Sequence, residues 1–202
     1  REIAVATPQG EDDPNGVEIH GSDELDRFEG AEYRRAVLPV ISQGRAVYAQ
    51  IRVPHPGPGR PKYLNPTSAL ASNPRLTRMR PVECQYPEVI VTEGSIDALA
   101  AAAGGYRAVG VMSATYCDES VAVALSRLPH PLVLAFDADD AGRFGAERLA
   151  ALLDAKQRPP VVLDLGSGDL NDAMRRSSDW SARLSASVDH AMTERSAVGL
   201  EI

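Results

Sequence analysis

The sequence predicts an α/β fold: a Rossmann-like parallel sheet of four strands with helices on both faces, preceded by a small basic β-rich subdomain. Three observations carry this. From residue 88 onward, short apolar runs alternate with stretches of helical periodicity. The run Leu132-Val133-Leu134-Ala135-Phe136 ends abruptly in Asp137-Ala138-Asp139-Asp140-Ala141-Gly142-Arg143, as a buried parallel strand does when it delivers polar residues to the rim of a sheet. Upstream, residues 31–80 hold nine basic side chains and one acidic one, although the whole chain carries a net charge of −7.

Taken in order, residues 1–30 hold nine acids against two bases with scattered Gly and Pro, and read as a partly ordered lead-in with one short helix near Asp23 to Phe28. In the basic stretch 31–87, Ala36 to Ile41 and Ala46 to Val53 flank Ser42-Gln43-Gly44-Arg45, the composition of a hairpin turn. His55-Pro56-Gly57-Pro58-Gly59-Arg60-Pro61 then reads as an irregular exposed loop before Lys62-Tyr63-Leu64-Asn65. Val89 to Thr92 is the first strand of the larger sheet and leads to a helix Ser95 to Ala103, stopped by Gly104-Gly105. Ala108 to Val111 leads to a helix from Asp118 to Arg127, and Leu132 to Phe136 to a helix from Asp140 to Ala155. Val161 to Asp164 precedes a last helical stretch beyond Asp169, and residues 177–202 form a C-terminal helix or tail.

The 202 residues, 44% hydrophobic and 24% charged, are ordinary for a folded protein of one sizeable domain or a small pair. Cys84 and Cys117 lack zinc-ligand spacing and cannot form a disulfide framework, which favours a cytoplasmic location. No apolar run is long enough to span a membrane. The chain opens on Arg1-Glu2, with neither an initiator methionine nor a signal peptide, as expected of a piece of something longer.

Parallel crossovers bring every strand's carboxyl end to one rim, so Glu93-Gly94, Asp97, Asp137, Asp139, Asp169 and Asp172 can converge there. Single acids or hydroxyls at such places are often helix caps, the ordinary reading for Asp140 and Ser95. So many carboxylates in one region are better explained by one or two hard cations with oxygen ligands. Gly94 and Gly142 leave room for a phosphate at the helix amino termini. The basic stretch beside them suits a polyanion, against the plainer reading of a solvated face. A flavodoxin-like or response-regulator fold, where acid pairs at a strand end also bind Mg²⁺, is a structural competitor.

Thr92-Glu93-Gly94-Ser95-Ile96-Asp97 together with Phe136-Asp137-Ala138-Asp139 resembles the paired signature of Toprim domains, shared by DnaG-type primases, topoisomerases, OLD-family nucleases and RecR-like proteins. The likeness covers about residues 88–176. Arg35 to Ile41, Gly44 to Val53 and Pro61-Lys62-Tyr63-Leu64-Asn65 are similar to the basic subdomain that precedes Toprim in DnaG-type primases, and Asp169-Leu170-Asn171-Asp172 looks like their third acidic motif.

That resemblance implies a DNA primase catalytic core: nucleotidyl transfer from nucleoside triphosphates on a single-stranded DNA template with Mg²⁺ or Mn²⁺. Asp137, Asp139 and Glu93 would hold the ions, Glu93 alternatively acting as general base, and Asp97, Asp169 and Asp172 would be outer or second-ion ligands. Arg52 and Lys62 are the leading phosphate contacts, with Arg45, Arg60, Asn65, Arg75, Arg78, Arg80 and Arg143 as further nucleic-acid or nucleotide contacts. Tyr63 either stacks a base or packs within the subdomain. A replicative helicase would be engaged through regions outside this chain, which also carries no zinc module. The alternatives are a Toprim nuclease and a non-catalytic nucleic-acid-binding module; a topoisomerase is set aside because its tyrosine needs a separate mobile domain.

Overall fold

The computed structural model describes residues 36–53 and 61–198. The acidic lead-in with its expected helix, the loop residues up to Arg60 and the last four residues lie outside these. Contacts divide the chain into a small unit, which includes Ala49–Asn65, and a large unit of Pro39–Tyr48 and Pro66 onward.

In the basic region, β1 (Ala36–Ser42) and β2 (Arg45–Arg52) are joined by Gln43 and Gly44, whose φ angles of 52° and 78° give the left-handed turn that matches strand twist. The third strand, β3 (Tyr63–Leu64), pairs antiparallel with β2 in the order β1-β2-β3, matching Arg52 with Tyr63. The Arg52 guanidinium lies 4.9 Å from the Tyr63 ring centroid, and the Gln50 amide donates to Asn65 Oδ1 at 3.1 Å.

The large unit runs β4 (Thr77–Met79), β5 (Val89–Thr92), α1 (Ser95–Ala103), β6 (Arg107–Gly110), α2 (Glu119–Ser126), β7 (Leu132–Leu134), α3 (Asp140–Asp154), β8 (Val161–Val162), α4 (Leu170–Arg176) and α5 (Trp180–Val198). Its sheet has the order β4-β6-β5-β7-β8. The four strands expected to be parallel are so, with Val91 opposite Val109 on one side and Leu134 on the other. A fifth was not anticipated. Thr77–Met79 joins as an antiparallel edge, Thr77 opposite Gly110, so the sheet begins upstream of residue 88. Three residues between Pro74 and Pro81 carry no apolar run, and their strand state comes from β6 offering a free edge.

The alternation of side chains along each strand splits the core in two. Val89, Val91, Leu132, Leu134 and Phe136 pack against Val121 and Leu125 of α2 and Leu149 and Leu153 of α3. Their neighbours Ile90, Val133 and Ala135 face the opposite layer, with Ala98 and Ala101 of α1 and Leu184 and Val188 of α5. In the C-terminal stretch, α5 completes the second layer. Among the described residues, no helix is long and apolar enough to cross a membrane.

Chain order explains where a ligand can sit. From β5 the chain crosses to β6 on one side, then returns past β5 to β7 on the other, so β5 and β7 are adjacent strands whose connections diverge. Their carboxyl ends flank the crevice that such a switch leaves open.

Helix starts differ from expectation in two places. Asp139, not Asp140, caps α3, accepting the Gly142 N–H at 2.8 Å, while Asp140 pairs with Arg143 at 2.5 Å on the surface. Gly94 holds the cap position of α1 with no side-chain acceptor, and Ser95 is the first helical residue, buried. Asp118, where the sequence begins the second helix, is the α2 cap: it accepts from the Ser120 and Val121 amides at 3.0 and 3.2 Å.

Two outcomes follow from these ends. A Cβ on Gly142 would lie 2.2 Å from the Asp137 carbonyl oxygen, so Gly142→Ala should cost about 1–3 kcal/mol in a urea unfolding curve, by displacing the loop that carries Asp137. The Ser120 hydroxyl first, then the Val121 amide and Arg75, bring the Asp118 carboxyl down to about 2. Its folded value lies below the unfolded one of about 3.9, so its contribution is complete above that value and is lost as pH falls through about 2. The stability gap between wild type and Asp118→Ala should accordingly narrow as unfolding is measured at successively lower pH below about 4.

Candidate metal centre

The rim is assembled from three loops. Glu93 follows β5 and is half-buried, and Asp97 sits four residues on, in the first turn of α1, buried at 6% exposure. Asp137 leaves the end of β7, also half-buried. Asp169 comes from the loop after β8, where it caps α4 by accepting the Asp172 N–H at 2.6 Å.

Asp97, Asp137 and Asp169 each bring one carboxylate oxygen within 4.8 Å of the others. Backbone groups hold the loops in this register. The Asn171 N–H donates to Asp97 Oδ1 at 3.1 Å, linking α1 to the start of α4. The Ala138 N–H donates to the Gly168 carbonyl at 2.9 Å, linking the loop after β7 to the loop after β8. Asn171 had no role in the sequence reading, because it works through its amide rather than its side chain.

Three carboxylates this close repel one another, and a hard divalent cation with oxygen ligands relieves the repulsion. The donor set fits Mg²⁺ or Mn²⁺: all oxygen, all acidic and partly shielded from water.

The other expected ligands stand differently. Asp139 is exposed and turned to cap α3, and Asp172 is paired with Arg176 at 3.1 Å. Glu93 lies outside the group of three. Its charge reaches the buried Cys117, whose thiol is pushed up to about 12 mainly by burial and secondarily by Glu93, leaving it inert.

Among the basic residues, Arg45, Lys62, Arg78 and Arg80 are exposed, and Arg52 is half-buried against Tyr63. Arg60 lies outside the described residues. Arg75 is occupied: its guanidinium pairs with Asp118, donates to the Ser120 hydroxyl at 3.1 Å and lies 5.3 Å from the Tyr116 ring centroid. It fastens the approach to β4 onto the α2 cap. Arg143 donates to the Ala138 carbonyl at 2.8 Å as well as to Asp140, so it braces the loop carrying Asp137. Asn65 is exposed and accepts from Gln50.

A family described as Toprim-like matches residues 90–174, a span from β5 into α4 that contains every carboxylate of the cluster. None of the curated protein sequences matches this chain. Among solved structures, the zinc-binding and RNA polymerase domains of the Aquifex aeolicus primase align with a TM-score of 0.61 at 22% identity, over 78% of this chain and 40% of that one. A DNA primase domain from Pseudomonas aeruginosa aligns with a TM-score of 0.56 at 30% identity, over 75% of this chain and 50% of that one. A DnaG primase catalytic domain bound to single-stranded DNA gives 0.57 at 23% identity, over 77% and 51%. This chain spans about half the length of these proteins or less. Residues 90–174 thus match a Toprim-like family, and the chain is similar in fold to DnaG-type primase catalytic domains.

Proposed function

We propose that this chain is the catalytic core of a DNA primase, joining nucleotides into a primer on a single-stranded DNA template by metal-dependent nucleotidyl transfer. The observation that carries the reading is the Asp97–Asp137–Asp169 cluster at the β5–β7 switch point of a fold whose solved matches include a DnaG catalytic domain bound to single-stranded DNA. The basic β-rich region ahead of the Toprim-like domain supports it, since a polyanionic template needs counter-charge.

Asp97, Asp137 and Asp169 would hold Mg²⁺ or Mn²⁺, with Glu93 and Asp139 beside them on the same rim. When bound, the ion lowers the pKa of an attacking hydroxyl and stabilises negative charge on the α-phosphate and the leaving pyrophosphate. Glu93 takes the proton of the primer's 3′ hydroxyl as its oxygen bonds to the α-phosphorus and the bond to the β-phosphate oxygen breaks. Arg143 keeps the Asp137 loop in place through the Ala138 carbonyl. Arg52 and Lys62 contact phosphates, with Arg45, Arg78 and Arg80 adding salt-sensitive affinity for the strand. Such a core acts in the cytoplasm, and a replicative helicase would be met through other regions of a longer protein.

The experiment is primer synthesis on single-stranded DNA with nucleoside triphosphates and Mn²⁺. Asp137→Asn and Asp97→Asn should each lower the rate at least about a hundredfold while the far-ultraviolet circular dichroism and melting temperature hold. Full activity in either folded variant overturns the assignment of the centre. Metal-dependent shortening of the labelled DNA, with no extension, would mark a Toprim nuclease instead.

A further inference from the structure

Beyond the carboxylate cluster, a cavity of 280 Å³ opens between the loop after β8 and helices α4 and α5. Its inner wall is apolar: Leu163, Leu170 and Leu184 are buried, and Trp180 stands beside them, its ring edge packed near Gly104. Its charged lining groups are Arg176, Arg183 and Asp164, with the hydroxyls of Ser167, Ser177 and Ser187; just outside, Asp172 pairs with Arg176, and Asp179 accepts from the Ser177 hydroxyl and attracts Arg183. Asp164 already accepts the Gly166 N–H at 2.8 Å, which ties its charge into the loop.

An apolar slot with an aromatic wall, two surface guanidiniums whose carboxylate partners a polyphosphate can displace, and a set of hydroxyls suits one class of small molecule: a heteroaromatic base joined to phosphate. A purely apolar ligand would leave the arginines unused, and a simple anion would leave the leucine and tryptophan wall uncovered. The volume accepts a base and sugar, with the phosphates lying outward along the arginines. Arg176 is exposed and pairs with Asp172 at i,i+4, an interaction that a polyphosphate can outcompete.

We propose that this cavity is a second nucleotide site, separate from the carboxylate cluster, taking the base against Trp180, Leu170 and Leu184 and the phosphates on Arg176 and Arg183. Binding there requires no divalent ion. The site has a natural reporter, because Trp180 is the one tryptophan of the chain.

The experiment is equilibrium dialysis of radiolabelled ATP against the 202-residue chain in EDTA at low salt, with Trp180 emission followed in parallel. The expected result is saturable binding with a dissociation constant below about 1 mM and a change in Trp180 emission. Affinity should fall about tenfold or more in Arg183→Glu, and similarly in Ser187→Phe, which fills the cavity without altering its charge. Asp137→Asn should bind as wild type does. Absence of saturable binding overturns the proposal. So does binding that disappears in EDTA or in Asp137→Asn, which would put the nucleotide at the carboxylate cluster. Equal competition by inorganic tripolyphosphate also overturns it, by reducing the site to a basic patch.

Discussion

Asp97, Asp137 and Asp169 repel one another, and they stay within 4.8 Å because each arises from a segment whose backbone has little freedom to withdraw. Asp97 rides on an alanine-rich helix buried against the sheet, and Asp137 follows directly on the fully buried Leu134, Ala135 and Phe136. Asp169 shares its carboxylate with the first turn of α4. Electrostatic cost at the rim is thus set against burial in two apolar layers, and the sheet that separates those layers is what fixes the distance between loops. A hard cation is the kind of counter-charge that relieves such repulsion.

The same economy of space governs the start of α3. With Asp139 capping the helix and Gly142 lying against the Asp137 carbonyl, the segment between strand and helix is tightly packed. Arg143 adds a side-chain brace to that loop, and Ala138 a main-chain one. Carboxylates on such tight connections lose little entropy when a ligand arrives, since the ordering cost is met during folding.

Much of this was legible in the sequence because its signals are local. The Gly104-Gly105 stop ended α1 at Ala103, and Gln43-Gly44 made the hairpin turn where composition indicated. The alternation of strands and helices fixed the parallel sheet, and the position of Glu93, Asp97, Asp137 and Asp169 at strand ends or first helical turns followed from it. What escaped depends on partners distant in the chain. Thr77–Met79 is a strand only because β6 lies beside it, and Arg75 is spent on Asp118, 43 residues later. Both aspartates after Ala138 have the chemistry of a cap; only the entry angle of the chain selects Asp139 over Asp140. For α5, a polar sequence with few apolar positions hid the fact that Leu184 and Val188 reach the core.

One feature of the rim bears on how such a centre can change over evolutionary time. The ties between its loops, Ala138 to Gly168 and Asn171 to Asp97, use amide hydrogens and not the side chains of the donor residues. Any residue with an N–H can supply them. Substitution at positions 138 and 171 therefore leaves the frame standing, so lineages can drift in the chemistry bordering the acids without losing the alignment of the acids themselves. Proline alone, which has no amide hydrogen, is barred from both places.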